Sequence, residues 1–367
     1  MTSTITESAT ASRADSAGTL AAALRRSARI EELIREDAGS FRILTGDRPT
    51  GALHLGHYFG TLANRLRLQD AGAQVLVLIA DYQVLIDRDT ADRLGEHVLG
   101  LVLDYLAIGI DPARSTIFAH SAVPALNQLM LPFLSLVTLP ELQRNPTVKD
   151  EIAHSRQSSV SGLMVTYPVH QAADILSGKA NLVPVGQDQL PHVEMTRLIA
   201  RRFNERYPGD GAPVFAEPDA LLSSAPLLLG TDGQKMGKSR GNAIALRATA
   251  DETARLIRGA KTDARRHIGY DPVTRPEVSS LVLLAALCTD RDPVAVADEI
   301  GDGGAAALKA TVTEAVNERF APIRARRAEL AVDLGHARQV LRDGCASASA
   351  IAESTLAEVR AAMAMRY

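Results

Sequence analysis

The spacing of apolar and polar positions changes along the chain, and the changes mark its elements. From Leu20 to Arg35 apolar residues recur among charges at helical spacing, which predicts one short helix. Phe41 to Thr45 reads as a strand ending at Gly46, and Gly46 to Gly51 reads as a turn punctuated by Gly and Pro. A helix follows from about His54 to Gln69. Val75 to Ala80 is an unbroken apolar run, the pattern of a parallel strand covered on both faces, and Asp81 sits at its end. Arg93 to Ile108 is helical, Thr116 to Ala119 is another strand, and helices continue to about Leu136. Leu182 to Val185 adds a further strand, followed by a helix from about Leu190 to Arg206. Beyond Ile244 the strand signal stops. Asp251 to Ala260, Val278 to Leu287, Ala305 to Asn317 and Ala350 to Met363 all read as helices.

Strands alternating with helices predict an α/β fold, a doubly wound, Rossmann-like parallel sheet, with an all-α C-terminal domain after it. The expected divisions are a partly disordered N-terminal extension with one short helix over 1–38, a Rossmann-like domain over 39–245 and a helical domain over 246–367. Ligands of such sheets bind beyond the carboxyl ends of the strands, where Gly46 to His57 and Asp81 lie. Composition adds mainly exclusions. The net charge of -3 means that any nucleic-acid footprint must be local. Residues 1–18 are rich in Thr, Ser and Ala and lack the apolar run of a secretory signal. With no 18-residue apolar stretch either, the expected setting is the cytoplasm, without a membrane segment. Cys288 and Cys345 are far apart and fit neither a zinc pattern nor a disulfide framework, so no metal-ligand set is expected.

Two segments carry chemistry. Gly51-Ala-Leu-His54-Leu-Gly56-His57 opens the first sheet helix. A helix N-terminus presents unpaired N–H groups that favour phosphate, and His54 and His57, three apart, share its first turn. Gly56 lets a purine or phosphate come close to the backbone. Alone, this segment is equally a helix start with two surface histidines. Far downstream, Lys235-Met236-Gly237-Lys238-Ser239 lies in a loop with Gly230, Gly233 and Gly241. Two lysines on a mobile loop can close over a triphosphate and neutralise a leaving pyrophosphate, although a basic loop is more often merely solvated.

Together, in this order and at this separation, the two segments resemble the signatures of the class I aminoacyl-tRNA synthetases. The second departs from the family pattern at Gly237, where Ser is usual. Gly162 to Leu176, with Tyr167, Gln171 and Asp174 on one helical face, looks like the amino-acid-binding helix of the tryptophan and tyrosine members. Val183 to Asn204 and Leu142 to Lys149 are similar to segments of the tryptophan members. Leu44 stands where the tyrosine members carry a tyrosine two residues before the strand-ending glycine. The resemblance runs from about Phe41 to Ile244, and more loosely over the helical remainder.

What the resemblance implies is ATP-dependent ligation of tryptophan to its tRNA. The alternatives are a tyrosine–tRNA ligase or a catalytically idle paralogue that binds tRNA or tryptophan. By resemblance, His54, His57, Lys149, Lys235 and Lys238 are the catalytic group. Arg48, Gly56, Gly186, Asp188, Met236 and Ser239 meet ATP. Leu44, Tyr167, Gln171, Asp174 and Gln189 meet tryptophan. An indole N–H is a donor only and wants an acceptor, the role the resemblance gives Asp174. Mg²⁺ would accompany ATP. The enzyme would be a homodimer reading the tRNA anticodon with its helical domain. Arg48, Gln83 and Gln171 depart from residues common in the tryptophan members. Arg255, Arg258, Lys261, Arg265 and Arg266 form one local basic group, and Arg319, Arg324, Arg326 and Arg327 a second. Either is a candidate RNA face or a solvated helix surface. The sequence contains no Trp, so making the chain would not consume the amino acid it is expected to activate.

Overall fold

The computed structural model describes residues 21–86, 93–154, 160–208, 212–222 and 227–366. The expected disordered stretch over residues 1–18 lies outside them. A first helix, α1, covers residues 21–37. Five strands form one parallel sheet: β1 (Arg42–Asp47), β2 (Gln74–Ile79), β3 (Ser115–Ala119), β4 (Leu182–Val185) and β5 (Asp219–Leu222). Their order is β3-β2-β1-β4-β5. The chain winds outward from β1 to β3 and then returns to the other side of β1. The switch point between β1 and β4 is where such sheets open a crevice. Four strands coincide with the apolar runs in the sequence. β5 is a short edge strand, Asp-Ala-Leu-Leu, with no alternation to reveal it.

Strand side chains alternate between faces, and the two faces feed two cores. Ile43, Val75, Val77, Ile79, Ile117 and Leu182 pack with α1, with α4 (Leu94–Ile108) and with helices of the C-terminal region. Leu44, Leu76, Leu78, Phe118, Val183 and Val185 face α5 (Pro124–Leu134), α8 (Gly162–Ser177) and α9 (Leu190–Arg206). Between α5 and α8 run α6 (Leu139–Arg144) and α7 (Pro146–His154). The helix after β1 starts as α2 (Leu55–His57), widens into a π turn over Tyr58–Leu62 and continues as α3 (Ala63–Ala71).

The helical last third comprises α10 (Ala250–Arg258), α11 (Pro276–Thr289), α12 (Pro293–Ile300), α13 (Gly304–Val332) and α14 (Leu334–Ala362). α13 runs well past Asn317, where the apolar pattern fades, and passes through Pro322. Pro322 is exposed, so the backbone bond it removes lies on the solvated side. α14 begins at Leu334 rather than Ala350 and covers the edge strand β3, where unpaired backbone would otherwise face solvent. The approach is close: a Cβ at Gly344 would sit 1.9 Å from the Ile117 carbonyl oxygen. None of the described helices is long and apolar enough to cross a membrane.

Gly344→Ala is therefore expected to lower the unfolding free energy by about 1–3 kcal/mol, despite alanine's better helix propensity. Gly100→Ala in α4, where a Cβ meets nothing within 4 Å, should raise it by about 0.5–1 kcal/mol. Urea unfolding of the two variants checks the pair. Equal effects would contradict the close packing of α14 on β3.

Candidate active site

A cleft of about 300 Å³ opens at the carboxyl ends of β1 and β4. Leu44 to Arg48 form one wall and Val183 to Gly186 the other, with Gln171 and Asp174 of α8, His57, Arg65, Gln83 and Gln189 among the remaining lining residues. Gly46 is required there, because a Cβ would lie 2.4 Å from the Leu78 carbonyl oxygen of β2.

The end of β1 is fixed by charge. Arg65 of α3, 2 % exposed, donates to Asp47 Oδ2 at 2.6 Å and to the Gly46 carbonyl at 3.2 Å. The Tyr105 hydroxyl of α4 donates to the same Asp47 oxygen at 2.7 Å. Burial pushes the Asp47 carboxyl up, but the Arg65 guanidinium outweighs it and holds the group well below the usual carboxylate range.

His54 caps α2, and its backbone N–H donates to His57 Nδ1 at 3.2 Å. The accepting Nδ1 leaves the His57 proton on Nε2. The two rings lie 3.6 Å apart. Burial, helped by the neighbouring imidazole and Lys238, pushes His54 down to about 3. Burial also brings His57 down to about 4, against the pull of Asp47. Both imidazoles are thus neutral N–H donors at pH 7. A Cβ on Gly56 would be 3.1 Å from the His54 ring, and Met236 lies on the same spot, buried.

The lysine loop reaches this helix start. Lys238 Nζ donates to the Gly51 carbonyl at 3.0 Å, and the backbone of Leu55 bonds that of Ile244. Asn242, 2 % exposed, organises the loop: its Oδ1 accepts the Gly237 N–H at 2.9 Å, and its Nδ2 donates to Asp232 at 2.7 Å and to the Lys235 carbonyl at 3.2 Å. Gly237 has an extended backbone, and its Cβ would meet nothing nearer than 3.9 Å, so serine fits there too. Lys235 is exposed. The side chain of Ser239 lies outside the described residues.

The expected amino-acid residues divide. Leu44, Gln171, Asp174 and Gln189 line the cleft, as do Arg48 and Gly186 of the nucleotide set. Tyr167, one turn earlier on α8, instead packs with Ile86, Val148 and Met164, its hydroxyl 3.3 Å from His192 Nε2. Burial raises its affinity for the proton, so it stays a neutral phenol. Asp188 is exposed just outside the cleft, and its carbonyl accepts the Thr147 hydroxyl of α7 at 3.2 Å. That contact docks the helix carrying Lys149, which is exposed and outside the cleft lining. In the second basic group Arg324 and Arg327 are spent inside the fold, whereas Arg319 and Arg326 are exposed. Arg327 pairs with Asp104, Arg324 bonds Asn317 and Thr253, and Arg319 pairs with Asp290. In the first group all five side chains are exposed, though Lys261 pairs with Glu277. Sequence reasoning missed Asp47, Arg65 and Asn242. Their partners lie on other elements or further along the loop, and no local pattern announces them.

The family described as tRNA synthetases class I (W and Y) matches residues 36–321. The tryptophan–tRNA ligase of Clostridium longisporum is 40 % identical over 337 residues, 89 % of this chain and 97 % of that protein. That of Treponema pallidum (strain Nichols) is 42 % identical over 331 residues, covering 88 % and 97 %. In structure, the tryptophanyl-tRNA synthetase of Campylobacter jejuni complexed with ADP and tryptophan matches with a TM-score of 0.76. It is 28 % identical, and the match covers 88 % of this chain and 99 % of that one.

The depressed imidazoles set a pH dependence. Below about pH 6.5 the unfolded chain takes up protons on His54 and His57 that the folded chain refuses. Stability therefore falls as pH drops from 6.5 towards 4. His57→Asn is expected to flatten that slope by up to about 1.4 kcal/mol per pH unit. Denaturant unfolding at several pH values checks it; an unchanged slope would mean that His57 is not buried as described.

Proposed function

The chain belongs to the class I tRNA synthetases for tryptophan and tyrosine, and from that membership we infer that it is a tryptophan–tRNA ligase. The observation that carries the choice of a ring with a hydrogen-bond donor is Asp174, a carboxylate 1 % exposed in the wall of the cleft. A donor-only indole N–H finds its acceptor there. Leu44, which a phenol would meet, offers it no partner.

The reaction has two steps. The tryptophan carboxylate attacks the α-phosphate of ATP, giving tryptophanyl-adenylate and pyrophosphate. A terminal ribose hydroxyl of the tRNA then attacks the adenylate. The protein supplies position and charge. The N–H donors of neutral His54 and His57, with the start of α2, receive the α-phosphate, and Gly56 leaves room beside the backbone for the His54 ring and Met236. Positive charge falls to the lysines. Lys238 is already at the helix start, and exposed Lys235 and Lys149 reach the pyrophosphate as the loop and α7 close on ATP. Arg48, Gly186, Asp188, Met236 and Ser239 complete the nucleotide side; Leu44, Gln171 and Gln189 complete the amino-acid side, and Tyr167, packed outside the cleft lining, supports their helix. Among the described lining residues the two carboxylates are Asp47, committed to Arg65, and Asp174, assigned to the indole, so Mg²⁺ would depend on ATP and water for its ligands and would supply charge neutralisation at the phosphates.

On this reading residues 39–245 form the catalytic domain and 246–367 the domain that meets the anticodon, with Arg255, Arg258, Arg265 and Arg266 the better-exposed basic face. The enzyme acts in the cytoplasm as a homodimer. Pyrophosphate exchange into ATP tests the function, run with tryptophan, tyrosine and phenylalanine. Exchange should depend on tryptophan. Asp174→Ala should narrow the preference for tryptophan over phenylalanine by about 10- to 100-fold, the worth of a hydrogen bond to a charged group. Exchange supported by tyrosine would overturn the reading, as would selectivity unmoved by the substitution.

A further inference from the structure

Behind Asp174, away from the cleft, lies a second polar layer. His120 follows β3 and is 0 % exposed; its Nε2 is 3.2 Å from Asp174 Oδ2. The His120 ring meets the ring of His170 edge-on, with centroids 4.7 Å apart. His170 Nε2 is in turn 2.9 Å from Asn127 Oδ1 on α5. Among the described residues neither nitrogen of His120 and neither oxygen of Asp174 has a well-formed hydrogen bond. Buried groups left so are costly and call for an explanation.

We propose that His120 is a positioning residue that holds Asp174 Oδ2 from behind, so that Oδ1 is presented to a ring N–H of the substrate. The proposal rests on the reading of Asp174 above. A carboxylate in a dry wall turns freely unless something fixes one oxygen, and its charge needs a partner. His120 supplies both, and the edge-on His170, anchored by Asn127, keeps the His120 ring from swinging away. Burial works against a proton on His120, but the carboxylates of Asp174 and Asp81 outweigh it and raise the ring's affinity for a proton. The same three side chains, His120, His170 and Asp174, are close enough to hold a metal ion. An ion there would take the lone pairs that the substrate needs.

The test compares tryptophan with β-(3-benzothienyl)alanine, its isostere with sulfur in place of N–H, in pyrophosphate exchange by the full chain. His120→Leu should raise KM for tryptophan about 10-fold or more while kcat and KM for the isostere move by less than about threefold. His120→Gln, whose amide can reach the Nε2 position, should restore selectivity, and the shorter His120→Asn should not. If the leucine variant does not fold, the Gln and Asn variants decide, and equal selectivity in both overturns the proposal. So do equal rises in KM for both substrates, or stoichiometric zinc in the purified protein. Asp174→Asn separates the two layers of the argument. If it alters the tryptophan-to-isostere ratio and His120→Leu does not, the acceptor role stands and the positioning role fails. If neither alters it, the reading of Asp174 has failed first.

Discussion

Arg65 carries its charge into the end of the sheet because Asp47 and the Gly46 carbonyl are there to receive it, and the Tyr105 hydroxyl donates to the same carboxylate. Those contacts join β1, α3 and α4 at the point where the cleft begins. A buried ion pair adds little net stability over apolar packing, but breaking one side leaves an uncompensated charge, so it specifies geometry. Here the geometry specified is the turn from β1 into α2. Asp47 fixes the wall of the cleft, and its negative charge reaches His57. With the two histidines neutral and packed ring to ring, phosphate would meet directed N–H donors with the charge of Lys238 beside them.

Helix α13 of the C-terminal region touches this arrangement on both sides of the histidines. Phe320 of α13 packs edge-on against Tyr58 at 4.9 Å and against Phe59 at 6.0 Å, in the π turn that follows His57. Arg327 of the same helix pairs with Asp104, whose other oxygen accepts the Leu53 N–H at 3.4 Å, just before His54. α13 therefore braces the signature helix on both sides of its histidines. This also explains why Arg324 and Arg327 are poor candidates for RNA contact: their charges are used within the fold.

Much of this was legible in the sequence wherever the signal is local. β1 to β4, the helix start at His54 and the glycine-rich lysine loop announce themselves through apolar runs, turn residues and spacing. The relation of Gln171 and Asp174 to one cleft follows from helical periodicity. Tyr167 shows the limit of that argument, because a position seven residues before Asp174 shares its face but sits two turns lower, among Ile86, Val148 and Met164. Other features were hidden because their causes are distant. α13 and α14 extend past their apolar stripes since each is held by elements far away in sequence, α4 and α11 in one case, β3 and α5 in the other. Arg65 looks like any surface arginine of an amphipathic helix until Asp47 is placed beside it. Asn242 and His120 gain meaning only from the loop and the carboxylate they hold.

The central claim is that one cleft between β1 and β4 seats the indole at Asp174 and the reacting phosphate at the start of α2. A crystal structure with a non-hydrolysable tryptophanyl-adenylate analogue, a sulfamoyl group in place of the phosphate, tests it most directly. The account predicts the indole nitrogen within hydrogen-bonding distance of Asp174 and the sulfamoyl oxygens beside His54 and His57. An indole pointing away from Asp174, or a sulfamoyl group remote from α2, would contradict it.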